Sequence, residues 1–548
     1  MFLRPHKLPA TLSRVGESFG EQGVTAEGTP VPSPEELATT LRSWSAAVIC
    51  AALAGLIILT FANPWVFTAD DSLFYLVVAK HIAANGAWTF NGLIPTNGVQ
   101  PLWQLATAGV VALGGLVGLD SPVAKVRMLF ALNWALALFA LAQMWRLLGR
   151  LSVSDPYRMG GVVVLGACLC GPWGLFASEA HAVAVCLLWL LILVERWFRN
   201  GPAISTAIAA GCASGLMMLS RLDTVWVAAT AFMCLLLAPS GAAILARLRS
   251  VLPTAVVAAA IVVPYLAWNM ARFGHLAPIS GSIKVDLGSP QLSVEGIGLF
   301  GVAILSAIWI GGFMGVLRAP RQPSVVAVWL VPSLGAAVSS AFYVVFSRGA
   351  FTTWYWYYIP HAVALALTVP LLATRLVNDR PELTSRAAKV SRISFAAVAV
   401  VGLAFCTVRY AFGPPNKLWE EAREFSSAVS EVLPEGAPLA TVDMPGVLAL
   451  FSGHPVVALD GLTGDFDFQD SLRDNGVSCT MSALGIDYGV AVGDRRVVDR
   501  DESSVTLAIY SWLHLEGPTE MTGSGSLLVS PDRDCALWRL DPACPAGR

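Results

Sequence analysis

The sequence predicts a polytopic α-helical membrane protein with a small α/β domain at its C-terminal end. Three observations carry that expectation. Runs of about 17–23 apolar residues recur along the chain, each long enough to span a hydrocarbon core. The 548 residues are 55% hydrophobic and only 13% charged, whereas soluble domains carry about 25% charge. After Gly413 the apolar runs stop and the chain turns polar. The net charge of -2 implies no single-sign surface field and gives no reason to expect a nucleic-acid partner.

Residues 1–41 are rich in Pro, Gly and Ser, mixed in charge, and lack an apolar core ahead of a small-residue cleavage site. They read as a flexible cytoplasmic tail rather than a removable signal peptide. A transmembrane domain is expected over 42–412, with spans near 44–62, 128–145, 159–177, 182–197, 203–219, 224–238, 251–269, 294–316, 324–346, 358–373 and 393–411. Alternate connections hold the basic residues: Arg146, Arg150 and Arg158; Arg196 and Arg199; Arg247 and Arg249; Arg318 and Arg321; then Arg375, Arg380, Arg386, Lys389 and Arg392. The positive-inside rule places these, with the N-terminal tail, on the cytoplasmic side of the plasma (inner) membrane. Segment 101–119 is long enough to cross, yet counting it would turn every later Arg-rich loop outward. It is read as a re-entrant or surface-lying element within a first external loop, 63–126. That leaves eleven spans and an external C-terminus.

The other connections are external and unusually rich in ionisable and aromatic residues. They hold Asp70 and Asp71, Glu179 with His181, Arg221 with Asp223, the run RFGHLAPISGSIK (272–284) and the run TTWYWYY (352–358). Ionisable groups near a bilayer are costly, so a functional cavity is the default expectation. Each also has a plainer role. Asp70 and Asp71 suit the start of a helix, Glu179 likewise. Arg221 suits an ion pair with Asp223, and Lys284 a snorkelling anchor. Trp354, Trp356 and Tyr357 suit an interfacial belt. His181, beside an apolar run, suits a satisfied structural histidine.

Residues 413–548 are expected to form an external α/β domain, since about 135 residues can bury their own core. KLWEEAREFSSAVSEVL and MPGVLALF read as helices; APLATVD, HPVVALDG, SGSLLVS and CALWRL read as strands. Of ten cysteines, Cys479, Cys535 and Cys544 fall in this part, where an oxidising compartment permits a disulfide and the pairing stays open. No cysteine pair has zinc-finger spacing.

Five blocks, in order, carry a resemblance. The first is DDSLFYLVVAKHIAANGAWTFNGLIPTNGVQPLW, with its adjacent acids and its T-N-G-x-Q-P run. SEAHAVAV around Glu179, SRLDTVWV around Arg221 and Asp223, PYLAWNMARFGHLAPISGSIK ending at Lys284, and VDMPGVLALFSGHPVVALDGLTG follow. Together they resemble bacterial glycosyltransferases of the GT-C superfold, similar to the protein O-mannosyltransferase and arabinofuranosyltransferase families, over about 44–495. Ser178 and Ala180 depart from the usual neighbours of the glutamate, and Met444-Pro445 stands where alanine is commoner.

The resemblance implies transfer of a sugar from a polyprenyl-phosphate donor to a hydroxyl of a glycan, lipid or protein acceptor, at the external membrane face, with inversion. A hydroxyl is a weak nucleophile and needs a carboxylate to take its proton; a departing phosphate needs fixed positive charge. On that basis Asp70 is expected to be the base and Asp71 to orient it, the acceptor or a metal. Glu179 and Asp223 are expected near the sugar, Lys284 and Arg221 near the phosphate, and Trp354 or Tyr357 stacked on the substrate. No cofactor is expected; a divalent cation at Asp70 and Asp71 is the less favoured variant, because a monophosphate gives it little to bridge. Readings from other classes are a lipid or solute transporter (a flippase), which should show mid-helix charges and internal repeats, and a non-catalytic membrane-anchored assembly protein, which would not need both acids.

Overall fold

The computed structural model describes residues 54, 55, 57, 58, 68–170, 178–238, 244–290, 292, 298–317, 322–347, 355–378, 384–414, 417–493, 497–500, 504–508, 520–530 and 535–540. The expected tail 1–41, most of the expected span 44–62, Trp354 and Cys544 lie outside them. The chain divides into compact units 1–54 and 55–548, and every element below belongs to the second.

Two helices form the first loop, α1 (Asp70–Asn85) and α2 (Pro101–Leu116). Helix α1 opens with two acids against its positive dipole end and stops at Gly86, whose φ of 75° suits glycine alone. The helical bundle follows: α3 (Pro122–Arg150), α4 (Asp155–Cys170), α5 (Ala180–Asn200), α6 (Ile204–Ser220), α7 (Val225–Leu236), α8 (Ile244–Phe273), the short α9 (Ile279–Lys284), α10 (Gly298–Gly312), α11 (Pro323–Phe346), α12 (Ile359–Asn378) and α13 (Thr384–Phe412). Among the described residues, five helices (Pro122–Arg150, Ala180–Asn200, Ile244–Phe273, Pro323–Phe346 and Trp356–Leu376) are long and apolar enough to cross a membrane.

Close packing in the bundle depends on small residues. A Cβ added to Gly211 would lie 2.6 Å from the carbonyl oxygen of Thr254, and one added to Gly335 would meet Val227 at 2.8 Å. The Thr254 hydroxyl donates to the carbonyl of Ala207 at 3.0 Å, joining α6 to α8. Backbones approach closely where side chains are minimal, as membrane helices do.

One expected span comes out differently. The span expected over 224–238 is a 12-residue helix, α7, entered through the single 3-10 turn Leu222–Thr224. At 1.5 Å per residue it is roughly 18 Å long, well short of a hydrocarbon core. The turn consumes the missing length, and it carries Asp223 to the site. Segment 101–119, expected to be re-entrant or surface-lying, holds the helix α2, roughly 24 Å long, which buries Trp103, Gln104, Thr107 and Val111 and exposes Leu105, Leu113 and Leu116.

The C-terminal part begins with α14 (Lys417–Val432), amphipathic by sequence, burying Ala422, Phe425 and Val429. A seven-stranded sheet follows, ordered β2-β1-β3-β7-β6-β5-β4. Its strands are β1 (Leu439–Thr441), β2 (Val456–Ala458), β3 (Tyr488–Val492), β4 (Val497–Arg500), β5 (Ser504–Ala508), β6 (Glu520–Val529) and β7 (Cys535–Leu540). Strands β2, β1 and β3 are parallel, with Leu439 opposite both Val456 and Tyr488; the remaining pairs are antiparallel. Parallel neighbours need a crossover, and α15 (Pro445–Ser452) supplies it between β1 and β2. Helices α16 (Phe466–Asn475) and α17 (Val477–Ala483) lead to β3. Cys479 is disulfide-bonded, and Cys535 is buried on β7.

Helix α15 buries nearly every residue because it is covered from two directions. One continuous apolar core contains Leu73, Leu76 and Val77 of α1, Val447 and Leu448 of α15, and Val490 and Leu537 of the sheet. First loop and C-terminal domain are thus a single folded layer. The bundle has a separate core around Leu187, Leu191, Trp329 and Leu367.

Candidate active site

A cavity of about 150 Å³ opens where that layer meets the bundle, and Asp71, Tyr75, Glu179, Arg221, Asp223, Lys284, Tyr343, Trp356, Tyr357 and Leu462 line it. Of the residues singled out from sequence, it gathers Asp71, Glu179, Arg221, Asp223, Lys284 and Tyr357. Asp70 is not among the lining residues.

The two adjacent acids part company because neighbours on a helix point about 100° apart. Asp70 turns to the C-terminal domain: its carboxylate accepts the N–H of Val447 at 2.9 Å and that of Gly446 at 3.1 Å. Burial raises its pKa well above the ordinary carboxylate value; the two N–H bonds work the other way, and the charges of Asp71 and Asp443 push it further up. Asp71 turns into the cavity, and its carboxylate takes no hydrogen bond from another described side chain. Burial raises its pKa too, opposed by the positive field of Lys284 and reinforced by Glu179 and Asp443.

Glu179, Arg221 and Asp223 form a closed cluster. Arg221 ends α6 in extended conformation (φ -164°), so its guanidinium lies across the mouth of the next turn. It donates through Nη1 to Glu179 at 2.8 Å and through Nε to both oxygens of Asp223 at 2.9 and 3.0 Å. Tyr75 Oη donates to the other Glu179 oxygen at 3.1 Å, and Tyr343 Oη to Asp223 at 2.7 Å. The guanidinium carbon also sits 3.9 Å from the centroid of the Tyr357 ring. Buried charges persist when they are paired and bonded in this way. One cation balanced by two carboxylates leaves little net positive charge for a phosphate.

Lys284 has a different setting. It ends α9, lines the cavity, and reaches Tyr357 Oη at 3.5 Å. Burial depresses its pKa, but Tyr357 and the charge of Asp71 more than offset that and keep it above the ordinary lysine value.

The T-N-G-x-Q run of the first loop explains how these parts are held in register. Asn97 Nδ2 donates to Asn269 on α8 at 3.1 Å, while its Oδ1 accepts the N–H of Ile279, the first residue of α9, at 3.0 Å. That fixes the short helix ending in Lys284. Gly98 lets the loop meet the C-terminal domain: a Cβ there would stand 1.8 Å from the carbonyl oxygen of Leu462. Gln100 Oε1 accepts the N–H of Leu222 at 3.3 Å, tying the loop to the Arg221–Asp223 turn. Nothing in the local sequence signals these roles, because each bond joins segments far apart in the chain.

Local sequence likewise assigns no role to Tyr75 and Asp460, which lie within the quoted blocks, or to Tyr343. Tyr343 sits within an apolar run that masks its hydroxyl. Asp460 lies on the loop after β2, buried, with its carboxylate accepting the N–H of Leu462 at 2.9 Å. Burial, with repulsion from Asp71 and Asp443, pushes it up to about 7 against the opposing Leu462 amide and Lys284. Its position beside the cavity follows from tertiary contact alone. His181 bonds to Asn133 and to the carbonyl of Leu169, at 3.0 and 3.1 Å, which is a structural role. His275 stacks on Phe466 with ring centroids 3.6 Å apart. Among the described residues, no group of three or more His, Cys, Asp or Glu is arranged to hold a metal ion.

No family model and no curated protein matches the chain by sequence. Solved structures match it by fold. ArnT from Cupriavidus metallidurans, in the apo state and bound to undecaprenyl phosphate, superposes with a TM-score of 0.56 at 14% identity, over 92% of this chain and 99–100% of ArnT. The Archaeoglobus fulgidus oligosaccharyltransferase tethered with an acceptor peptide gives a TM-score of 0.50 at 14% identity, over 81% of this chain and 69% of its own. The chain therefore has the fold of the GT-C glycosyltransferases.

Proposed function

We propose that this chain is a membrane glycosyltransferase that moves a sugar from a polyprenyl-phosphate donor to an acceptor hydroxyl at the external membrane face. The observation that carries the proposal is the cavity holding Asp71 and Lys284 in a GT-C fold. ArnT binds undecaprenyl phosphate; a carrier of that chemistry presents a sugar on a phosphate at headgroup depth, where α1 and α9 meet the bundle.

In this reading the acceptor oxygen attacks the anomeric carbon as the bond from that carbon to the phosphate oxygen breaks. The acceptor proton passes to Asp71, whose carboxylate is the one the cavity exposes. The electron pair leaves with the polyprenyl phosphate, and Lys284 stabilises the charge that develops there. A single displacement inverts the anomeric centre. This exchanges the roles expected for the two acids, because Asp70 is engaged by the Gly446 and Val447 amides. Arg221 likewise becomes part of a frame, with Glu179 and Asp223, that shapes the pocket rather than a phosphate ligand. Tyr357 orients Lys284 and offers a ring face to the substrate.

The external placement of residues 413–548 is supported by the positive-inside reading of the Arg-rich connections and by the disulfide at Cys479, which suits an oxidising compartment. The metal-free form of the reaction is proposed because Lys284 already supplies positive charge. The test is reconstitution of the full chain in proteoliposomes with a panel of polyprenyl-phosphate sugars, with and without a chelator, followed by mass analysis of the glycan. Transfer from one donor, unaffected by the chelator, is the expected result. No transfer from any member, with flux of a lipid or solute instead, would overturn the reading. Chelator-sensitive transfer would restore the divalent cation beside Asp71.

A further inference from the structure

The contact between Asp70 and the C-terminal domain is more specific than a docked surface requires. Helix α15 begins at Pro445, and the N–H groups of its first turn have no partner within the helix. A helix normally supplies its own cap. Here the N-cap position is Met444, in left-handed conformation with φ 49° and ψ 44°, and it makes no side-chain cap bond. The cap comes instead from Asp70, 376 residues away from Gly446, with one oxygen on Gly446 N–H and the other on Val447 N–H. The fit leaves no slack. A Cβ on Gly446 would lie 2.8 Å from the backbone oxygen of Asp70, 2.9 Å from its Oδ1 and 2.9 Å from Leu73 Cβ.

Two further contacts act around the same cavity. Leu462, on the loop after β2, lines the cavity while its carbonyl meets Gly98. Phe466, at the start of α16, stacks on His275 just ahead of α9. The three contacts hold the first turn of α1, the T-N-G-x-Q run and the approach to Lys284. The C-terminal domain thus touches the segments that lead to Asp71 and Lys284.

We infer that Asp70 is a positioning residue: it caps α15 across the domain boundary, and this clamp makes the C-terminal domain a working wall of the active site by fixing Asp71. The inference rests on the assignment of Asp71 as the base, yet its structural half can be read without any activity. The capping N–H bonds lower the pKa of Asp70, though burial still leaves it well above the ordinary carboxylate value. Lose the clamp, and the first turn of α1 shifts, taking Asp71 out of the field of Lys284 that lowers its pKa. The charged groups acting on Asp71 are Lys284 on α9, Glu179 ahead of α5 and Asp443 from the C-terminal domain, and Asp71 in turn acts on Asp460; none of them is altered by the test.

The experiment compares Asp70→Asn, Gly446→Ala, the double variant and Asp71→Asn in the full-length protein. Hydrogen–deuterium exchange at Gly446 and Val447 is read first. Protection should fall by at least tenfold in Asp70→Asn and in Gly446→Ala and stay unchanged in Asp71→Asn. Transfer rate against pH is read second. The acid limb should move to higher pH by a similar amount in Asp70→Asn and Gly446→Ala and no further in the double variant, while the maximal rate falls. A mere loss of folded protein would lower the rate without moving the limb. Unchanged protection at the two amides, or a limb that stays in place in both single variants, overturns the clamp. If amide protection behaves as expected while Asp71→Asn transfers sugar normally, the clamp stands and the assignment of Asp71 fails.

Discussion

Two groups of charge face one cavity, and they differ in how fully each is bonded. On one side Glu179, Arg221, Asp223, Tyr75 and Tyr343 satisfy one another at 2.7–3.1 Å. On the other, Asp71 carries a raised pKa with no side-chain donor on it from a described residue, and Lys284 reaches Tyr357 Oη at 3.5 Å. The first arrangement has the marks of structure, since a saturated network is rigid and has little left to offer a ligand. The second has the marks of chemistry, because a general base needs a lone pair that no other donor occupies.

Breaking the saturated side should show in stability before it shows in chemistry. Arg221→Met leaves Glu179 and Asp223 buried without their cation, and removal of one partner of a buried pair costs about 3–5 kcal/mol. The expected result is a clear fall in unfolding temperature, measured by thermal denaturation in detergent or nanodiscs. Breaking the other side should reverse the pattern. Lys284→Met is expected to lower the maximal transfer rate by about 10²–10³-fold, the usual effect of removing one transition-state donor, with an unfolding temperature close to that of the unaltered protein. Lys284→Arg should restore part of the rate.

A smaller effect sharpens the contrast. Asp460 titrates near 7 in the folded protein and near 3.9 when unfolded. Between those values the folded state binds more protons, so its stability falls as pH rises through the window and is lowest above it. Asp460→Asn keeps an acceptor for the Leu462 amide and removes the charge. It should raise the unfolding temperature by several degrees at pH 8 and leave it unchanged at pH 4. Equal shifts at both values would mean that burial of this carboxylate is not what sets its titration.

How much of this shows in the sequence depends on the range of the interactions involved. Apolar periodicity and length reveal the long helices α3, α5, α8 and α11, since those features are local. The order of helix and strand from Lys417 to Ala458 is visible for the same reason: amphipathic spacing in KLWEEAREFSSAVSEVL, then short β-branched runs on either side of an apolar helix. The brevity of α7 is hidden, because nothing local distinguishes a helix that starts at Val225 from one that starts at the turn before it. At the site, residue types and order bring Asp71, Glu179, Arg221, Asp223, Lys284 and Tyr357 to notice. What the sequence hides is the division of labour between Asp70 and Asp71. That depends on which way each carboxylate points relative to a helix more than 370 residues away. The work of Asn97 and Gln100 is hidden in the same way, each bond joining segments more than 100 residues apart.

The account turns on Asp71 being the ionised base. The most direct measurement is the rate of the chemical step against pH, by single turnover, for the unaltered protein and for Asp71→Asn. The account predicts a rate that declines on the acid side through a value above the ordinary carboxylate range, and an Asn variant slower by about 10²–10⁴-fold with that decline abolished. An Asp71→Asn protein that keeps both its rate and its acid limb, while Asp70→Asn loses them, would contradict it.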